Sequence, residues 1–136
     1  GGNDFRPRIR ELRPHTRVFL CALNWWTCVD SKPYFDEPGD HAGELETSVM
    51  MEIAPDFVLP VSEAGEGKAR RFGIDGLRSG VAWAPRQWTQ VTDDTGVGNP
   101  AKATNEKGIR YLGVVTDQIA SFLVDLAAAD LDHMYE

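Results

Sequence analysis

Within the run Asp40-His41-Ala42-Gly43-Glu44-Leu45-Glu46-Thr47-Ser48 the chain sets one imidazole and two carboxylates side by side. An imidazole can ligate a metal or move a proton near neutral pH, and carboxylates bind divalent cations or act as general bases. The run reads as the mouth of an amphipathic helix ending near Ala54-Pro55. At about 100° per residue with Ala42 at zero, Leu45, Val49, Met50 and Ile53 fall on one side within roughly 80° of Ala42, with Glu46 near 40° and Glu44 near 200°. Glu46 is therefore expected on the core face, where a carboxylate is costly unless paired, hydrogen-bonded or metal-bound. Glu44 is expected on the opposite side. Other roles stay open: Glu44 as a first-turn acid favouring the helix dipole, His41 as a helix-flanking ring bonded to backbone, and Glu46 as the partner of a buried arginine.

Two further groups could serve a site. Trp25, Trp26 and Phe35 could wall a flat ligand, or pack as core or subunit contacts. Asp93, Asp94 and Thr95 could reach the same place, although capping and turn roles suit these residue types better.

The elements that must position these residues alternate between helix and strand. Asn3 or Asp4 can cap a helix to about Leu12, with Pro7 in its first turn and Pro14 as its stop. Arg17 to Asn24 reads as a buried strand, which would put Trp25 and Trp26 at its C-terminal edge. Phe57 to Pro60, Val81 to Trp83 and Trp88 to Val91 are further strand candidates. From Val61 to Pro100 glycines are frequent and no helical period persists, which is uncommon unless such a loop is functional or covers a site. A long helix from Pro100 to about Leu131 follows, with Asn99 as N-cap and a seam of Ile109, Leu112, Val115, Ile119, Phe122 and Leu126. This order predicts an α/β layered domain, residues 1–136 forming one unit.

Composition narrows the partners. The 136 residues carry a net charge of −7, which argues against a nucleic-acid backbone as partner. No apolar run is expected to cross a bilayer, and no membrane partner follows. Cys21 and Cys28 fit no common zinc spacing, and a reducing cytoplasmic location is the default for such a chain.

At this point the residues resemble a known family. His41-Ala42-Gly43-Glu44-Leu45-Glu46-Thr47-Ser48 is similar to the His-Ala-Gly-x-x-Glu-Thr-Ser signature of the creatininase family of metal-dependent amidohydrolases. Thr95-Gly96-Val97-Gly98-Asn99-Pro100-Ala101-Lys102-Ala103-Thr104-Asn105-Glu106-Lys107-Gly108 looks like the family's second conserved segment, one residue shorter before its second glycine. Gly1-Gly2-Asn3 looks like the end of an Asn-Gly-His-Gly-Gly-Asn motif. The resemblance covers essentially the whole chain and implies a three-layer α/β/α fold, of which this chain would be the C-terminal portion lacking the N-terminal half. It implies a divalent metal centre, two ions of zinc, manganese or iron, whose other ligands would lie upstream. It also implies hydrolysis of a small molecule's C–N bond (amide, lactam or formamide) by metal-activated water.

Carried over by position, Glu46 resembles a metal ligand and His41 the histidine that passes a proton to the leaving nitrogen. Asn3 would orient the missing histidine ligand. Glu44 stands at a variable position of the motif, as a low-ranked substrate-side residue with Trp25 and Trp26. The family's hexamers imply a homo-oligomer. An acid stands in creatininase itself where this chain has Gly2, and a tryptophan where it has Glu37, so creatinine is not the expected substrate. The competing expectation is a non-catalytic binding or scaffold subunit that keeps the fold without a complete metal site.

Overall fold

The fold is described from a computed structural model covering residues 5–135. Its helices are α1 (Phe5–Leu12), α2 (Glu44–Ile53), the single turns α3 (Asp75–Arg78) and α4 (Trp88–Val91), and α5 (Asn105–Ala128), with 3-10 turns between them. The chain divides into two compact units, one made of Gly1–Asp30 with Gly113–Glu136 and the other of Ser31–Leu112.

The first unit holds α1, which ends at Leu12 where Pro14 enters a 3-10 turn, as its sequence requires. The expected caps Asn3 and Asp4 lie outside the described residues. Residues 17–24 form no strand, contrary to their apolar pattern. A strand exists only as half of a hydrogen-bonded pair, and no described residue supplies the other half. Trp25–Thr27 forms a 3-10 turn, in which Trp25 and Trp26 meet edge to face at 6.1 Å. Cys21 and Cys28 are not disulfide-bonded.

The second unit is built around the crossing of α2 with the start of α5. Tyr111 is fully buried and meets Phe35 and Tyr34 in edge-type ring contacts at 5.2 and 5.4 Å. Phe35 is thus core, not a wall for a ligand. Leu45 and Val49 from α2 and Ala103 complete the buried apolar set of this unit. Gly108 lets the two helices touch: a Cβ there would lie 2.0 Å from the Ser48 carbonyl oxygen. The glycine that weakens α5 by propensity is the one that admits α2.

Other expectations of regular structure are revised. Phe57 closes a 3-10 turn, residues 81–83 are exposed and irregular, and Trp88–Val91 is a helical turn instead of a strand. Among the described residues the sole ladder contact is an isolated antiparallel bridge, so the α/β layering is not seen in this portion. The long helix starts five residues later than Pro100, at Asn105. Asn99 caps only the preceding turn, accepting from the Ala101 N–H (2.9 Å), while the Thr104 hydroxyl accepts from the Lys107 N–H (3.2 Å) as the helix cap. In the expected seam Val115 is buried, Leu112, Ile119, Phe122 and Leu126 are half-buried, and Ile109 is exposed. α5 is also long and apolar enough to cross a membrane by length and composition, with a mean hydropathy of 1.3 over its best window. That corrects the expectation of no such run, although the core helix of a soluble protein passes the same test.

The α2–α5 crossing predicts opposite outcomes at two glycines of one helix. Gly108→Ala should lose about 1–3 kcal/mol of unfolding free energy through overpacking against Ser48. Gly113→Ala, with nothing within 4 Å of its would-be Cβ, should be neutral or stabilising by up to about 1 kcal/mol. Denaturant unfolding of both variants checks the pair.

Candidate functional site

His41 is fixed by backbone before its side chain is considered. Its N–H and that of Asp40 both donate to the Val97 carbonyl (3.0 and 2.8 Å), and the Val97 N–H donates back to the His41 carbonyl (2.8 Å). The His-Ala-Gly run and the Thr-Gly-Val-Gly run are thus the two sides of the isolated bridge. Glycines make that approach possible. A Cβ on Gly98, whose φ is +150°, would sit 2.8 Å from the Gly39 Cα and 2.9 Å from the Gly43 Cα.

Ala42 then takes φ +50°, a left-handed conformation that costs a non-glycine residue of the order of 1 kcal/mol. The turn aims the Ala42 N–H at Glu46, whose Oε2 accepts it at 2.7 Å. The same oxygen lies 3.4 Å from His41 Nδ1. Both side chains are nearly half exposed, at 48% for His41 and 42% for Glu46. Glu46 therefore does not face the core, and Glu44 does.

The physical reason is which apolar residues α2 buries. Met50 and Ile53, counted into the core stripe from the sequence, are 37% and 58% exposed, so the arc that placed Glu46 inside is not the buried one. Counted from Glu44 at about 100° per residue, Glu44, Ser48, Leu45 and Val49 span roughly 140°, while Ile53, Glu46 and Met50 fall on the far side. Those first four residues are the buried ones.

Glu44 is completely buried, and its charge is matched there. Its Oε1 pairs with Lys107 Nζ, and its Oε2 accepts from the Glu37 N–H at 2.7 Å. Lys107 also donates to the Lys102 carbonyl at 3.1 Å. One turn along α2, the buried Ser48 hydroxyl donates to the Glu44 carbonyl (2.7 Å) and accepts from the Thr104 N–H (3.1 Å). Asn105 reaches the end of α2 through the Met51 carbonyl (3.2 Å) and the Glu52 carboxylate (2.8 Å). No buried side-chain polar atom among the described residues lacks a partner. The Thr104-Asn105-Glu106-Lys107-Gly108 segment thus acts mainly as the seat of α2.

Sequence reasoning missed two residues beside His41. Trp88 lies edge to face with the imidazole, ring centroids 5.4 Å apart. Arg86 stands over the Trp88 ring at 4.7 Å and holds the Asp40 carboxylate. The presence of both in the long glycine-rich loop was the available signal. Trp25 and Trp26, nominated as an aromatic wall, belong to the first unit, and Asn3 lies outside the described residues. A shallow cavity of about 170 Å³ opens beside Ala42, lined by Gly65, Gly67, Gly96 and Gly98 with the Asp94 side chain. Asp94 serves its turn: the Thr92 hydroxyl, then the Gly96 N–H, hold its carboxyl below the usual range.

Among the described residues no three His, Cys, Asp or Glu side chains converge as a metal cage. Glu46 fits a metal as a contributor: an accessible carboxylate oriented by a backbone N–H. A complete divalent site takes more donors than this one.

Comparison with known proteins covers the whole arrangement. The sequence matches the creatininase family model, described as creatinine amidohydrolase, over residues 1–123. A solved Bacteroides fragilis structure, provisionally described as a creatinine amidohydrolase, is 46% identical and superposes with a TM-score of 0.89. That match takes in 100% of this chain and 53% of the other, so the chain spans about half the length of that relative. No curated protein matches.

The buried pair generates a prediction separate from chemistry. Lys107→Met should cost about 3–5 kcal/mol of stability, because it leaves the fully buried Glu44 charge without its counter-ion, and Glu44→Gln should cost less, because Lys107 is 27% exposed. The double variant should recover part of that loss. Unfolding of the four species in a double-mutant cycle gives the measurement.

Proposed function

Since this chain belongs to the creatininase family, we propose that it carries the proton-transfer half of a metal-dependent amidohydrolase site acting on a small molecule's C–N bond. The observation that carries this reading is the His41–Glu46 pair, which a strained Ala42 and the Val97 bridge hold at the exposed mouth of α2.

Glu46 contributes one ligand to a divalent metal, with its Oε2 oriented by the Ala42 N–H and the carboxylate open to a second contact. The remaining ligands come from the preceding half of the protein. When bound, the metal supplies charge that acidifies an attacking water and polarises the scissile carbonyl. His41 presents Nδ1 towards Glu46, so Nε2 on the far side of the ring is the atom that passes a proton to the leaving nitrogen. The glycine-lined cavity beside Ala42 suits a small substrate, an amide, lactam or formamide. Glu44 acts from inside the fold by fixing the start of α2 and takes no part in the chemistry.

The experiment separates the two roles. In the whole protein, Glu46→Gln should lower the zinc, manganese or iron bound per chain as well as turnover of a panel of small amides. His41→Ala should leave metal content intact and reduce turnover by about 10²–10⁴-fold. Wild-type protein without stoichiometric metal, together with tolerance of both substitutions, would replace this reading with a non-catalytic binding or scaffold subunit.

A further inference from the structure

A carboxylate 3.4 Å away is a loose guide for an imidazole. It lies beyond the usual 2.7–3.2 Å of a well-formed N–H···O bond (about 2.9–3.0 Å at the mode), and rotation about the second side-chain torsion of histidine is soft. Something else must hold the ring, and Trp88 is the side chain against it. Its plane stands at 76° to the imidazole with centroids 5.4 Å apart, in the range of a favourable edge-to-face contact.

Trp88 is itself held. The Arg86 guanidinium carbon lies 4.7 Å from its ring centroid, at cation–π distance. Arg86 then donates from both terminal nitrogens to Asp40, Nη1 to Oδ2 at 2.5 Å and Nη2 to Oδ1 at 3.3 Å. That fork-on-carboxylate geometry fixes direction as well as distance. Asp40 is the residue before His41, and both N–H groups are pinned to the Val97 carbonyl. The circuit Asp40–Arg86–Trp88–His41 therefore closes through a peptide bond, linking the ring to the backbone that carries it.

The circuit is poorly placed to stabilise the fold. Asp40 and Arg86 side chains are 57% and 38% exposed, and ion pairs in such settings contribute little. What it does restrict is the orientation of one imidazole. We propose that Trp88 is a positioning residue for His41, and that the Asp40–Arg86 pair is the latch that keeps the indole against the ring. This rests on the reading of His41 as the group that protonates the leaving nitrogen.

The test uses the whole, metal-loaded protein with Trp88→Leu, Trp88→Phe and Arg86→Leu. By NMR, Trp88→Leu should displace the His41 ring-proton resonances, because the indole ring current is removed. Arg86→Leu should displace them in the same direction by a smaller amount. In turnover of the best amide from the panel, Trp88→Leu should lower kcat by on the order of 10–100-fold with KM little changed, the scale expected for a misplaced group. Trp88→Phe should restore most of that loss. His41 resonances unmoved in Trp88→Leu would overturn the proposal, as would a change confined to KM. If the wild-type protein hydrolyses nothing, the amidohydrolase reading fails, and Arg86→Leu, which keeps the indole, still decides the latch: displaced His41 resonances support it and unmoved ones overturn it.

Discussion

A carboxylate with no exposed surface, paired with a lysine 63 residues away, is the constraint on which the Ser31–Leu112 unit is organised. Two charges removed from water repay their desolvation only if geometry and hydrogen bonding are both satisfied. The Glu44–Lys107 pair meets that condition through the Glu37 N–H on one side and the Lys102 carbonyl on the other. Each of those partners belongs to a different segment, so satisfying one ion pair fixes the approach to α2, its first turn, the turn before α5 and the first turn of α5. Ser48 repeats the arrangement one helical turn further on, between the Glu44 carbonyl and the Thr104 N–H.

That anchoring leaves the opposite side of α2 to function. With Glu44 turned inward, Glu46 must point outward, because two residues along a helix correspond to about 200° of rotation. The acid that resembles a metal ligand is thereby delivered to the surface by the acid that does not. Ala42 bears the local cost, a left-handed residue between a bridged histidine and a glycine cap. Strain of this kind persists where the surroundings over-determine it, and here Val97 and Gly98 do so from the facing loop.

The loop from residue 58 to residue 99 contains only short helical turns, yet it is not slack connection. It supplies the bridge that registers His41 and the indole that faces its ring. A segment without regular hydrogen bonding can be ordered this way when its backbone groups are taken up locally by a site. In contrast, Leu59, Val81 and Trp83 along the same stretch remain largely exposed.

The sequence by itself determined the three longer helices and part of their punctuation: α1 ended by Pro14, α2 ended at Ala54-Pro55, and α5 recognisable from its period. It also determined the two motifs whose juxtaposition builds the site, since their residue types match a family signature. Tertiary structure decided what each motif residue does. Which face of α2 is buried turned on Met50 and Ile53 lying exposed, and Ala42 stays outside the helix in a left-handed turn against Val97 and the glycines. Burial of Glu44 could not be read from periodicity, because its counter-charge comes from the far end of the unit. The strands anticipated at residues 17–24 and 81–83 failed for the related reason that an apolar run describes only half of a pair. Helix formation draws on hydrogen bonds within one segment, while sheet pairing, buried charge and the orientation of an imidazole all depend on partners distant in sequence.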